Sequence, residues 1–93
     1  MEILTEEDRA QFSSANPDWQ LDGETITRTY QFGTFAAAIG FVTGVAMAAE
    51  VADHHPDIDI RWNKVTLALS THSEKALTTK DTDLAAKADI LAG

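Results

Sequence analysis

The three histidines of this 93-residue chain are its side chains best suited to proton transfer near neutral pH. His54 and His55 are adjacent and are followed by Pro56, whereas His72 lies further along the chain. A positioned imidazole can serve as a general acid or as a general base. The chain has no cysteine, so disulfides, thiolate nucleophiles and cysteine metal sites are excluded. The histidine set therefore predicts acid–base catalysis as the first hypothesis.

Metal binding is a second use that three histidines suggest. Zinc ligands from one element are normally separated by intervening residues, and adjacent side chains such as His54 and His55 bind one ion poorly. Glu50 and His54 do have the i, i+4 spacing that faces one side of a helix. We nevertheless predict a site without metal or cofactor, and a metal-dependent hydrolase is the remote alternative.

The element that leads into the first two histidines is a long helix, predicted over Phe35–Ala52. The hydroxyl of Thr34 caps its start, and Pro56 prevents it from continuing. At the carboxyl end of a helix the dipole favours a protonated imidazole, and the negative charge of Asp53 acts in the same direction on His54. An alternative interpretation is that the two histidines only cap the helix.

The element that leads to the third histidine is a hairpin. Alternation of apolar and polar residues predicts strands over 57–62 and 65–70, joined by a turn at 63–64. The start of one hairpin strand lies beside the end of the other. His72 follows the second strand, so we expect all three imidazoles to meet at one corner of the sheet.

The upstream half predicts another helix and another hairpin. Thr5 caps a helix over 6–14, and strands over 19–21 and 24–32 flank Asp22-Gly23, a strong two-residue hairpin signal.

A third helix starts at Thr78, where Asp81 completes a capping box. Two hairpins predict one four-stranded antiparallel sheet with the three helices packed on one face. The predicted fold is therefore α+β, in the order α-β-β-α-β-β-α, with residues 1–93 as a single domain.

The predicted core rests on three observations. The long helix has an apolar stripe at Phe35, Ile39, Val42, Ala46 and Ala49. Gly40 and Gly44 weaken a helix, which predicts close packing at both positions. Trp19 and Trp62 are predicted core aromatics, whereas Arg28 falls on the apolar face of its strand without an evident reason.

The net charge of −8 disfavours nucleic acid and anionic membrane surfaces as partners. The uncharged stretch 32–49 is nearly long enough to span a bilayer. Alanine, glycine and threonine dominate it, however, and no basic cluster flanks it, so we predict a buried helix. The first residues lack the basic and apolar regions of a signal peptide, which predicts a cytoplasmic protein.

Taken together, these residues resemble the pterin-4a-carbinolamine dehydratases. The matching pattern covers about residues 3–91 and consists of Glu50, His54-His55-Pro56, Trp62, His72 and Asp81. Trp62 stands where some relatives have tyrosine.

The resemblance implies that the chain removes water from a 4a-hydroxytetrahydropterin to give quinonoid dihydropterin, which supports recycling of the tetrahydropterin cofactor. It places the three catalytic histidines at His54, His55 and His72. Our hypothesis makes His54 and His72 the principal pair, with His55 holding the substrate or supplementing them. Acid and base are not assigned between them. Substrate contacts are expected from Trp19, Glu50, Asp53, Pro56, Thr71, Ser73 and Asp81, although Asp81 has the structural role of a cap as an alternative.

The resemblance also implies a homodimer or homotetramer with a small pterin substrate. Some family members act as dimerisation partners of a homeodomain transcription factor, so a non-enzymatic interaction module is the alternative function. The threonine-rich sheet face and the glycine-containing helix are the surfaces that suggest it.

Overall fold

Seven elements follow one another in the predicted order in the computed structural model, which describes residues 2–93. They are α1 Glu6–Ala15, β1 Gln20–Asp22, β2 Thr25–Gln31, α2 Phe35–Ala52, β3 Asp57–Arg61, β4 Lys64–Leu69 and α3 Thr79–Ala92. The strands form one antiparallel sheet in the order β1-β2-β4-β3. The predicted α+β fold is confirmed.

Each helix begins after a threonine that caps it. Thr5 and Thr78 form capping boxes with Asp8 and Asp81, and Thr34 accepts a hydrogen bond from the backbone N–H of Ala37. A cap of this kind satisfies amide donors that have no partner inside the helix. The predicted helix starts are confirmed because the capping side chains are local in sequence.

Both hairpin turns lie one residue before or after the predicted position. The first turn is Gly23-Glu24, with Gly23 at φ 61°, and the second is Trp62-Asn63, with Trp62 at φ 53°. The second shift removes Trp62 from the strand, and its side chain is 72% exposed. The prediction that Trp62 belongs to the core is wrong, because Trp62 lies in the exposed turn between β3 and β4. Trp19 is 3% exposed, which confirms the prediction for that tryptophan.

The buried face of α2 differs from the predicted stripe. Its buried residues are Ala38, Phe41, Val45 and Ala49. Of the predicted stripe only Ala49 is buried, Val42 is partly buried, and Phe35, Ile39 and Ala46 are exposed. The prediction was wrong because α2 is apolar around most of its circumference, so that hydrophobic periodicity does not mark the core side.

The two glycines of α2 have different surroundings. A Cβ atom built at Gly44 would lie 3.5 Å from the side chain of Leu91 on α3, whereas one at Gly40 would meet nothing within 4 Å among residues 2–93. Predicted close packing is therefore present at Gly44 and absent at Gly40 within this chain.

By length and composition α2 could also cross a membrane, with a mean hydropathy of 1.8. Its four buried residues pack against the sheet, which favours a globular domain.

Arg28 lies on the apolar face because Asp89 of α3 receives it there. Its Nη1 donates to Asp89 Oδ1 at 2.9 Å, and its guanidinium lies 4.4 Å from the centre of the Tyr30 ring. The same carboxylate accepts hydrogen bonds from the Tyr30 hydroxyl at 2.6 Å and from Trp19 Nε1 at 3.0 Å. Burial, and then the hydrogen bond to Asp89, raises the pKa of Tyr30. This cluster joins α3 to β2.

Candidate active site

The end of α2 determines where the first two histidines emerge. Asp53 adopts a left-handed backbone conformation at φ 51°, and its N–H donates to the carbonyl of Glu50. The N–H of His54 donates to the carbonyl of Ala49 at 3.0 Å. This pair of bonds is a Schellman ending, which turns the chain sharply away from the helix axis. His54 and His55 consequently lie in the short connection between α2 and β3.

His54 is held by a buried carboxylate from α3. Its side chain is 9% exposed, and its Nε2 lies 2.5 Å from Oδ1 of Asp81, which is fully buried. The partner carboxylate is thus Asp81, 27 residues away, and not the neighbouring Asp53 of the sequence prediction. An ionised carboxylate only accepts hydrogen bonds, so Nε2 carries the ring proton and Nδ1 is left as the proton acceptor.

The second oxygen of Asp81 is also fully engaged. Oδ2 accepts hydrogen bonds from the Thr78 N–H at 2.9 Å and from the Thr71 hydroxyl at 2.8 Å. The Thr71 and Thr78 hydroxyl oxygens are 2.7 Å apart. Because Thr71 gives its single proton to Asp81, the Thr78 hydroxyl must donate to Thr71. This network fixes the carboxylate, and through it the imidazole of His54.

The other two histidines are more accessible. His55 Nε2 lies 2.7 Å from Oε1 of Glu50, and these two side chains are 58% and 74% exposed. His72 is exposed in the turn that follows β4, and no residue between 2 and 93 forms a hydrogen bond with its ring. His72 is therefore free to orient towards a ligand.

A cavity of about 280 Å³ joins these side chains. Its lining consists of Asp53, His54, His55, Ser70, Thr71, His72, Ser73 and Lys80. The β3–β4 pairing places Asp57 opposite Ala68, which brings the segment before β3 beside the segment after β4. The structure thus brings together the three histidines, as the predicted hairpin required.

The remaining predicted contacts lie at different distances from this cavity. Asp53, Thr71 and Ser73 line it, while Glu50 is connected to it only through His55. Asp81 lies behind His54, so both its predicted capping role and a positioning role are present.

Four predicted contacts do not line the cavity, namely Trp19, Glu50, Pro56 and Asp81, and two lining residues were not predicted. Pro56 and Trp19 are not among the lining residues, and Trp19 lies in the core beside Asp89. Ser70 and Lys80 line the cavity but were not predicted from the sequence. The signal for Lys80 was its position next to Asp81, in the first turn of a helix whose cap borders the site.

Within the described part of the chain, no three histidine, aspartate or glutamate side chains are grouped so that they could hold a metal ion. The expectation of chemistry without metal or cofactor stays a prediction.

Comparison with known proteins identifies the family. The family model described as pterin 4 alpha carbinolamine dehydratase matches residues 2–91. The chain belongs to this family. A relative from Chloroflexus aurantiacus, provisionally named pterin-4-alpha-carbinolamine dehydratase, is 50% identical over 93 residues and is covered, like this chain, over its whole length.

Two solved structures resemble this member of the family. A transcriptional coactivator/pterin dehydratase from Brucella melitensis has a TM-score of 0.92 and 39% identity, with 98% of this chain and 99% of that chain covered. A pterin dehydratase-like protein described as a RuBisCO assembly factor in the alpha-carboxysome has a TM-score of 0.68 and 24% identity. That comparison covers 81% of this chain and 87% of the other, and it shows a shared fold alone.

Proposed function

We propose that this family member dehydrates 4a-hydroxytetrahydropterins by histidine acid–base catalysis, in support of tetrahydropterin recycling in the cytoplasm. The observation that carries the proposal is the buried His54–Asp81 pair, whose imidazole lines one cavity together with the accessible His72. A base oriented by a buried carboxylate and an accessible acid are the two groups that an elimination of water requires.

The hydrogen bonds support one assignment of the proton transfers, which is part of the proposal. Nδ1 of His54 takes the proton from N5 of the pterin, and Asp81 stabilises the imidazolium that forms. His72 protonates the departing hydroxyl, the C4a–O bond breaks, and a C4a=N5 double bond forms with release of water. One proton enters and one leaves the substrate, so the elimination needs no external reagent.

His55 and Glu50 contribute to binding in this proposal. Only Oε1 of Glu50 contacts His55, which leaves Oε2 available to the amino-pyrimidinone edge of the pterin. A carboxylate matches two neighbouring N–H donors on that edge.

The test is a dehydration assay with carbinolamine generated in situ by a phenylalanine hydroxylase, after treatment of the protein with a chelator. His54→Ala and His72→Ala should each lower kcat by about 10²–10⁴-fold, the usual contribution of a positioned acid or base. Lys64→Ala is a matched surface control at the opposite end of β4 from the cavity and should leave kcat unchanged. A chelated wild-type protein that is no faster than buffer would refute the proposal.

An interaction module is the second candidate, because α2 leaves apolar side chains exposed. Phe35, Met47 and Val51 are 52%, 64% and 86% exposed. Such a surface is typical of a protein interface, and it supports the expectation of a homodimer or homotetramer. A pterin dehydratase-like protein described as a RuBisCO assembly factor has the same fold, so this fold can serve as an assembly module. Light scattering and pull-down experiments on His54→Ala would favour the module if binding survives while the wild type never shows pterin activity.

A further inference from the structure

The histidine cavity adjoins a groove between α2 and α3, with Lys80 between them. Lys80 lines both the cavity and a smaller space of about 100 Å³, whose floor includes Ala48, Val51 and Leu84. Ala48 and Lys87 then line a further space of about 310 Å³. These two spaces form what we call the tail groove, which runs along α3 from Lys80 to beyond Lys87.

The size of the cavity explains why a groove would be needed. Ligand pockets commonly measure about 300–1,000 Å³, and the histidine cavity lies just below that range. It has room for a bicyclic pterin head, so any extended substituent has to leave it. Lys80 marks an exit at which the neighbouring surface is concave and largely apolar.

The charges of the tail groove favour an anion. Across residues 2–93 the three arginines are ion-paired with Glu24, Asp89 and Asp59, whereas no lysine has an acidic partner. Two of these unpaired lysines, Lys80 and Lys87, lie on the groove, and Asp83 is its single acidic residue. A net positive groove is notable on a chain with a net charge of −8.

The spacing of the two lysines indicates the length of the ligand. Lys80 and Lys87 are separated by two turns of α3, which is about 10 Å along the helix axis. An aminobenzoyl unit places glutamate carboxylates at a comparable distance from a pterin ring. The flat ring of the aminobenzoyl unit would lie on the apolar floor of the tail groove, and the glutamate carboxylates would reach Lys87.

We propose that the tail groove binds the aminobenzoyl-glutamate substituent of a folate-type pterin, so that the preferred substrate is a tetrahydrofolate-type 4a-carbinolamine. This inference rests on the proposed dehydratase function and adds its substrate class. Lys87 acts as a specificity residue for the anionic end of the substituent, and Val51 and Ala48 contact its ring.

The experiment measures calorimetric binding of three stable probes: 7,8-dihydrofolate, 7,8-dihydropteroate, which lacks glutamate, and 7,8-dihydrobiopterin, which has a short neutral substituent. Dihydrofolate should bind most tightly. Lys87→Gln should weaken dihydrofolate about two- to fivefold, the effect of one exposed ion pair, and leave the other two probes unchanged. Lys64→Gln replaces an exposed lysine at the opposite end of β4 from the cavity and should change none of them.

Equal affinities for dihydrofolate and dihydrobiopterin would overturn the inference, as would identical responses to Lys87→Gln and Lys64→Gln. A dihydrofolate affinity that falls as the protein concentration rises would also overturn it, because a second copy of the chain would then occupy the groove. Kinetics separate this result from the dehydratase proposal. Acceleration of a biopterin-type carbinolamine, with equal binding of dihydrofolate and dihydrobiopterin, refutes the tail groove alone. Tighter binding of dihydrofolate without acceleration of either carbinolamine refutes the dehydratase proposal and the substrate class, but leaves the tail groove as a binding site.

Discussion

Replacing Asp81 by asparagine separates the two roles of this carboxylate, because asparagine keeps its shape and removes its charge. The amide oxygen can accept the bonds from the Thr78 N–H and the Thr71 hydroxyl that Oδ2 accepts now. The amide NH₂ then faces Nε2 of His54, and two donors cannot bond to each other. His54 must therefore move its proton to Nδ1, which removes the proposed base.

The expected magnitudes differ greatly between stability and rate. Asp81→Asn can keep all three hydrogen bonds but exchanges charge-assisted bonds for neutral ones, a cost of about 1–3 kcal/mol. A domain of this size unfolds with roughly 5–14 kcal/mol, so the variant stays folded. Loss of the base should lower kcat by about 10²–10⁴-fold.

The assay combines carbinolamine dehydration, urea unfolding and nitrogen NMR of the imidazole of His54. The NMR signal should move from the Nε2–H form in the wild type to the Nδ1–H form in Asp81→Asn. Asp89→Asn is the matched control, since Asp89 also accepts three side-chain hydrogen bonds but lies outside the cavity. It should lower the free energy of unfolding and leave kcat nearly unchanged.

Two results would refute this reasoning. One is a folded Asp81→Asn variant whose kcat stays within tenfold of the wild type. The other is an unchanged tautomer of His54, which would mean that Asp81 does not determine the position of the ring proton. Equal losses of kcat in Asp81→Asn and Asp89→Asn would instead indicate that both act through the fold.

Two further predictions concern stability. Hydrogen bonds from Arg9, and then from the Leu77 N–H, hold the pKa of Glu24 below its usual 4.5. A folded-state pKa below the unfolded value stabilises the fold above pH 4.5 and loses that contribution as the pH falls, so Glu24→Gln should flatten the acid decline of the free energy of unfolding. An equally steep decline in the variant would contradict the assignment. Trp62→Asn should change the free energy of unfolding by less than about 0.5 kcal/mol in urea titrations, because Trp62 is 72% exposed and asparagine tolerates positive φ. Trp19→Ala, the buried counterpart, should cost about 3–5 kcal/mol, and similar losses in both variants would show that Trp62 is packed.

The parts of the fold that local signals determine could be predicted from the sequence. The bounds of α2 follow from the cap at Thr34 and the stop at Pro56, and they agree with the structure. The buried side of α2 was predicted wrongly because Thr43 and Glu50 are its only polar residues and many apolar side chains lie on its exposed side. The turn at Trp62-Asn63 was predicted one residue too late, because a bulky residue such as tryptophan rarely adopts a left-handed turn conformation.

In the candidate site, too, only the features that depend on local signals could be predicted. The meeting of His54, His55 and His72 followed from one hairpin, which is a local feature. The contact between His54 and Asp81 depends on how α3 docks against the end of α2, and spacing in the sequence does not encode that docking. Lys80 was missed for the same reason.

The double use of Asp81 has a consequence for how this domain can evolve. One carboxylate caps α3 and also contacts the imidazole of His54, so a substitution there is expected to affect folding and, under the proposed mechanism, catalysis as well. Few substitutions of Asp81 are therefore expected to be neutral. Variation in activity is instead expected from the rim of the cavity, at residues such as Ser73 and Lys80, where a change of side chain leaves the helix start intact. The fold thus separates a position that must stay fixed from neighbours that selection can adjust.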